Sequence, residues 1–364
     1  MKRFLFLTLL VTLSLSACGP STQIPLPAGL PVMQPSETVT SPASLTVMTH
    51  DSFDASEAVI RAFETVYNVK VTFLASGDAG AALNKAILSK DAPLADVFYG
   101  VDNTFLSRSL EAGIFEPYNS PALADIPDAY KLDTESRVLP VDYSDVCINY
   151  DKAYFATAGL PVPQALEDLI KPEYKSLLVV ENPATSSPGL AFLLATIAHF
   201  GPDIYLEYWQ SLLRNGVVVV EDWETAYYIN FSGASGHGSE PMVVSYGSSP
   251  PAEVIDADQP LEDAPTASIV APDTCFRQIE FVGILKGTRN RLMAEKFVDF
   301  MLSVPFQEDM PMQMSVFPVN PLARLPEVFV KYAQVPENPA SLDPAEIAAN
   351  REAWIQAWTE TVLH

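Results

Sequence analysis

From Leu45 onward the chain alternates short apolar runs with segments of helical period, and nothing else in it restricts the fold as much. "LTVMTH" reads as a strand and 55–67 as an amphipathic helix. "VKVTFLA" follows as a strand, then a helix over 79–89, the strand "ADVFYG" and a helix over 103–112. Strands alternating with helices make a mainly parallel sheet covered on both faces. A long strand-like stretch, "RVLPVDYSDVCINYDK" (137–152), interrupts the rhythm, and a second α/β set runs from 176 to 246. A second long strand, "TCFRQIEFVGILKG" (274–287), leads to helices over 290–303 and 305–312 and a closing helix near 344–362. The reading is an α/β protein of two lobes, 45–140 plus 276–364 and 141–275, hinged by two crossover strands.

Each crossover strand carries one cysteine, Cys147 and Cys275. Antiparallel pairing of the strands would bring them within disulfide reach; two separately buried thiols are the alternative. The third cysteine, Cys18, ends "MKRFLFLTLLVTLSLSACGP", where Lys2 and Arg3, a short apolar run and small residues make an export signal over 1–17. Leu15-Ser16-Ala17-Cys18 resembles the bacterial lipobox, which would make Cys18 the lipidated first residue of the mature chain. Ordinary cleavage with Cys18 incidental is the alternative. Residues 18–44, rich in Pro, Ser and Thr, read as a tether. The expectation is an exported protein, lipid-anchored on the outer face of the cytoplasmic membrane or in the periplasm. With 21 Lys and Arg against 45 Asp and Glu, net −24, the chain is a poor candidate for nucleic acid or an anionic membrane surface. Its four histidines, His50, His199, His237 and His364, show no ligand spacing, so no metal site is expected.

In parallel α/β sheets ligands sit beyond the carboxyl ends of strands. That rule picks out His50-Asp51, the loop 77–80 and Asp102-Asn103. Another junction stands out, "VVENPATSSPGL": Ser186 and Ser187 lie directly before Pro188 and a long apolar helix. A plain cap needs one hydroxyl. Two of them, with the free N–H groups of a helix start, suit an anion such as a phosphate; a cap plus a surface serine is the bland alternative.

Seven segments in order resemble the thiamine-binding periplasmic proteins of bacterial ABC importers. They are "LTVMTHDSF", "DVFYGVDNTFL", "PVDYSDVCINYDK", "ENPATSSPGLAFLL", "EDWETAYYINF", "VVSYGSSP" and "LDPAEIAANREAWIQAW". The resemblance implies a two-lobed, periplasmic-binding-protein-like type II fold and a ligand held at the lobe interface. That ligand would be thiamine, thiamine monophosphate or thiamine diphosphate, with no cofactor and no catalysis. It implies ligand roles for Asp78 and Ala79, for Ser186 and Ser187, for Trp223, and for the loop Tyr246, Gly247, Ser248 and Ser249. His50, Asp51 and Asp145 are further candidates, Asp145 as a charge partner for a cation; Asp102 and Asp142 are weaker ones. Partners would be a permease with its ATPase; the chain is expected to be monomeric and to meet the membrane through its lipid alone.

The chain departs from the family pattern at His50 and Ala252, where tyrosines are expected, and at Ser315, where a tryptophan is. Each lost stack costs about 1 kcal/mol. Two other readings stand beside this one. A ferric-iron binder would use adjacent tyrosines, as in Tyr227-Tyr228, but helical neighbours point about 100° apart. A secreted hydrolase lacks a Gly-x-Ser-x-Gly elbow around Ser235 and has few histidines to act as base.

Overall fold

The structure, a computed structural model, describes residues 42–233 and 235–364. The signal segment, Cys18 and almost all of the tether lie outside the described residues. Among the described residues, eleven strands follow one another. They are β1 (Ala43–Thr49), β2 (Val69–Ala75), β3 (Val97–Asp102), β4 (Phe115–Glu116), β5 (Val138–Asp151) and β6 (Leu178–Glu181), then β7 (Val218–Val220), β8 (Met242–Tyr246), β9 (Thr266–Ile269), β10 (Phe276–Leu285) and β11 (Phe317–Pro318).

The strand order β2-β1-β3-β10-β5-β8-β6-β7 is built like a pair of hands. Parallel strands β2, β1 and β3 make one end and β7, β6 and β8 the other, each flanked by a long antiparallel strand. The two long strands, β5 and β10, pair with each other in the middle. These are the two crossover strands that the sequence pattern predicts. Side chains alternate across the sheet as strand geometry requires. Leu45 and Val47 of β1 and Val97 and Tyr99 of β3 face a core with Phe63, Phe297 and Phe306. Met48 and Phe98 face the opposite core, with Leu83 and Phe105; a register irregularity opposite β10 turns Val101 to that side as well.

Cys275, one residue before β10, lies opposite Cys147 of β5, and the two form a disulfide with Cα atoms 4.3 Å apart. Of the two alternatives open from sequence, the bridge is the one found. The closing helix, Pro344–Val362, packs differently from the expected boundary, which put 276–364 with the first set. Trp358 meets the edge of Trp209 in the second set, while Arg351 lies over the Phe105 ring of the first. Among the described residues no single helix is long and apolar enough to cross a membrane.

Candidate functional site

The carboxyl ends of β1, β2, β6, β7 and β8 converge on a cavity of about 600 Å³ between the two sets of strands. From one side come His50, Asp51, Asp78 and Ala79. Asp78 is the N-cap of the helix Ala79–Leu88, its carboxylate accepting the Ala79 N–H at 2.7 Å. The same carboxylate reaches across and accepts the Trp223 N–H at 3.1 Å. Burial raises its pKa, and these N–H bonds hold the rise back. His50 packs so tightly on β3 that a Cβ at Gly100 would fall 2.5 Å from its ring; Gly100, at φ +107°, is the residue that fits. Burial also lowers the pKa of His50, keeping its imidazole neutral.

Opposite stands Trp223, at the entrance of a turn wider than an α-helix, Thr225–Asn230. There the Phe231 N–H bonds the Ala226 carbonyl five residues back. The wider turn brings both tyrosines against the indole: Tyr227 stacks on it at 4.9 Å and 24°, and Tyr228 meets it edge-on at 5.6 Å. The indole N–H is fixed on Ser245 Oγ at 3.0 Å. Tyr227 is buried and donates to Glu253 at 2.7 Å, whereas Tyr228 is 44% exposed. The two hydroxyls therefore do not converge on one metal.

Ser187 opens the helix Ser187–Phe200 and lines the cavity; its hydroxyl donates to Asp102. Burial pushes Asp102 up to about 6 despite the bonds from Ser187 and Thr104. Ser186 lies behind the wall, fully buried. Its hydroxyl is near enough to favour ionised Asp78 yet makes no hydrogen bond of normal geometry. The start of this helix thus faces the protein's own carboxyls, and the anion expected there has carboxylate competitors already in place.

In the loop after β8 only Tyr246 and Ser249 reach the cavity. Ser248 turns away to bond Ser144, and Gly247 is locked against Gln334, donating its N–H to the Asp145 carbonyl and accepting the Gln334 N–H. Asp145 also leaves the candidate set: its carboxylate forms a two-point ion pair with Arg277, at 2.7 and 2.8 Å, and does not line the cavity. Cross-strand register sets this, since Arg277 stands directly opposite Asp145. Ala252 and Ser315, the positions that depart from the family pattern, do line the cavity.

Glu280 and Glu253 line it as well and were not among the sequence candidates. The signal for Glu280 was a lone acid in the apolar run of "QIEFVG", facing Asp142 across the hinge. With Asp51, Asp54, Asp78, Glu224 and Asp256 added, the ionisable lining is carboxylate throughout apart from His50 and the tyrosines, and among the described residues no Lys or Arg is part of it.

Residues 92–341 match the model of a family described as bacterial extracellular solute-binding protein. The chain belongs to that family. It is 30% identical over 323 residues to the thiamine-binding periplasmic protein of Escherichia coli (strain K12), covering 87% of this chain and 93% of that one. The Brucella suis biovar 1 (strain 1330) protein of the same name is 29% identical over 328 residues, 86% of this chain and 91% of its own. Among solved structures, a periplasmic thiamin binding protein superposes with a TM-score of 0.77 at 27% identity, over 88% of this chain and 96% of that chain. A ferric binding protein from Campylobacter jejuni, at 19% identity and a TM-score of 0.68 over 87% of this chain and 99% of its own, shares the fold. This solute-binding protein has the two-lobed fold of the periplasmic binding proteins and is a binder, not an enzyme.

Proposed function

We propose that this solute-binding protein captures thiamine, or a close relative with the same cationic ring, and presents it to a permease driven by its ATPase. One observation carries the reading: a fixed tryptophan faces a cavity whose charged lining is carboxylate, with no Lys or Arg. A thiazolium ring is both flat and cationic, so it gains from the indole face and from the acids together. A phosphate tail meets no basic side chain in the cavity, so the rings carry the recognition and the monophosphate and diphosphate gain little from their tails. The volume suits a small molecule. Closure of the two lobes about β5 and β10 would bury the ligand. Lipidation at Cys18 and a monomeric state complete the proposal. The relatives' names support the ligand; the lining supports its charge.

The test is native mass spectrometry of the protein as purified, then calorimetry after unfolding and refolding. The titrants are thiamine, its two phosphates and the free aminopyrimidine. Submicromolar thiamine binding that Trp223→Ala weakens at least tenfold is expected; no binding of any form would overturn the ligand.

A further inference from the structure

Inside the hinge, Glu280 of β10 and Asp142 of β5 stand directly opposite each other, 6% and 0% exposed. The Tyr99 hydroxyl lies 2.7 Å from Asp142 Oδ2 and 3.0 Å from Glu280 Oε2. A phenol has one proton to give, so it serves one carboxylate at a time. Without a positive charge beside them, two buried carboxyls this close do not both ionise, and the pair keeps a proton between them. Burial raises the pKa of both carboxyls, and the Glu280 charge raises that of Asp142 further, while the Tyr99 and Asp142 hydrogen bonds hold Glu280 back. Only Glu280 of the two opens on the cavity.

The surroundings leave Glu280 without a charge partner. His50 Nε2 is 3.6 Å from Glu280 Oε1, buried and with no hydrogen bond, and its imidazole is neutral. From β3 comes Asp102, from the helix cap Asp78, and from β8 Tyr246, all of which add negative charge or none. The nearest cation on β10, Arg277, is committed to Asp145. A neutral imidazole with an unused nitrogen beside a half-neutralised acid pair is a place prepared for a charge from outside.

We propose that Glu280 is the counter-charge for the cationic ligand, and that the ligand enters in exchange for the proton Glu280 shares with Asp142. The inference rests on the reading of the ligand as a thiazolium-type cation. The balance is simple: one positive ring enters, one proton leaves to solvent, and the net charge of the closed cavity stays the same. By linkage, affinity rises with pH by up to about tenfold per unit while the unliganded pair holds its proton.

Calorimetry with thiamine at pH 7 and pH 8, in phosphate and in Tris buffers of equal ionic strength, counts the protons released. About half to one proton per ligand is expected for the wild-type protein. Glu280→Gln should abolish the release and weaken binding at least tenfold. Asp142→Asn frees Glu280 to ionise alone, so it should abolish the release while leaving affinity equal or higher. Circular dichroism checks that each variant is folded; if Glu280→Gln is not, Asp142→Asn still decides. Tight thiamine binding with no proton released, or loss of affinity in Asp142→Asn, would overturn the inference alone. Failure of the wild-type protein to bind thiamine would overturn the ligand reading, and the inference with it.

Discussion

Gly80 offers a way to separate closure from contact with ligand. It sits in the first turn of the helix Ala79–Leu88, lines no part of the cavity, and donates its N–H across the cleft to the Thr185 carbonyl at 3.0 Å. A Cβ at this position would fall 2.8 Å from Thr185 O, 2.9 Å from Ala184 O and 2.9 Å from Phe105 Cζ. The ring tip of Phe105 can swing aside; the two oxygens belong to the backbone of the opposite set and cannot. Overpacking of this kind costs about 1–3 kcal/mol, and Gly80→Ala charges it to the closed form, which alone brings these segments together. Affinity should therefore drop by about 5- to 150-fold. In the open form alanine is the better helix residue by up to about 1 kcal/mol. Calorimetry with thiamine and urea unfolding of the unliganded variant should then move in opposite directions. Binding within twofold of wild type, or lost stability without lost affinity, would refute the reasoning by placing the clash inside one set of strands.

Asp102 should leave a trace in the pH dependence of stability. Its folded pKa, about 6, lies above the ordinary carboxylate value, so between about pH 4 and 6 the folded chain holds a proton that the unfolded chain gives up. Stability from this group is full below that window and falls by about 3 kcal/mol as pH rises through it; urea midpoints of Asp102→Asn should lack the fall. Replacing both Cys147 and Cys275 by alanine opens a loop spanning 128 residues and should cost about 4–5 kcal/mol in urea unfolding while thiamine still binds. Asp145→Ala should leave thiamine affinity unchanged, because the side chain is outside the cavity. It should lower stability by about 2–3 kcal/mol by stranding Arg277, whose one-third exposure softens the loss. A change in affinity would return Asp145 to the site.

The alternation of strands and helices was legible because each period is a local property of a few residues. The two crossover strands were visible for the same reason, and so were the candidates at strand ends, such as His50 and Asp78; Trp223 was singled out by the family resemblance. What sequence did not show depends on register and on rotation. Asp145 looked available until Arg277 was placed opposite it, and Glu280 looked like an isolated charge until Asp142 was. Ser248 and Ser249 are neighbours in one polar loop, yet one turns to Ser144 and the other to the cavity. The wide turn after Trp223 rotates Tyr227 and Tyr228 in a way that a helical period of 3.6 residues does not anticipate.

β5 hydrogen-bonds to β10, β8, β9 and β11, so its fourteen residues belong to both ends of the sheet at once. A protein shaped for two bodies to move apart has therefore no seam along which to come undone. Pulling either end out of register frays a strand that the other end needs, and the disulfide ties that strand to its neighbour. Closure of the lobes as proposed would bend β5 and β10 without breaking their pairing, and urea unfolding is expected to take the sheet in one transition. A ligand that binds only the folded chain would then protect both ends of the sheet together.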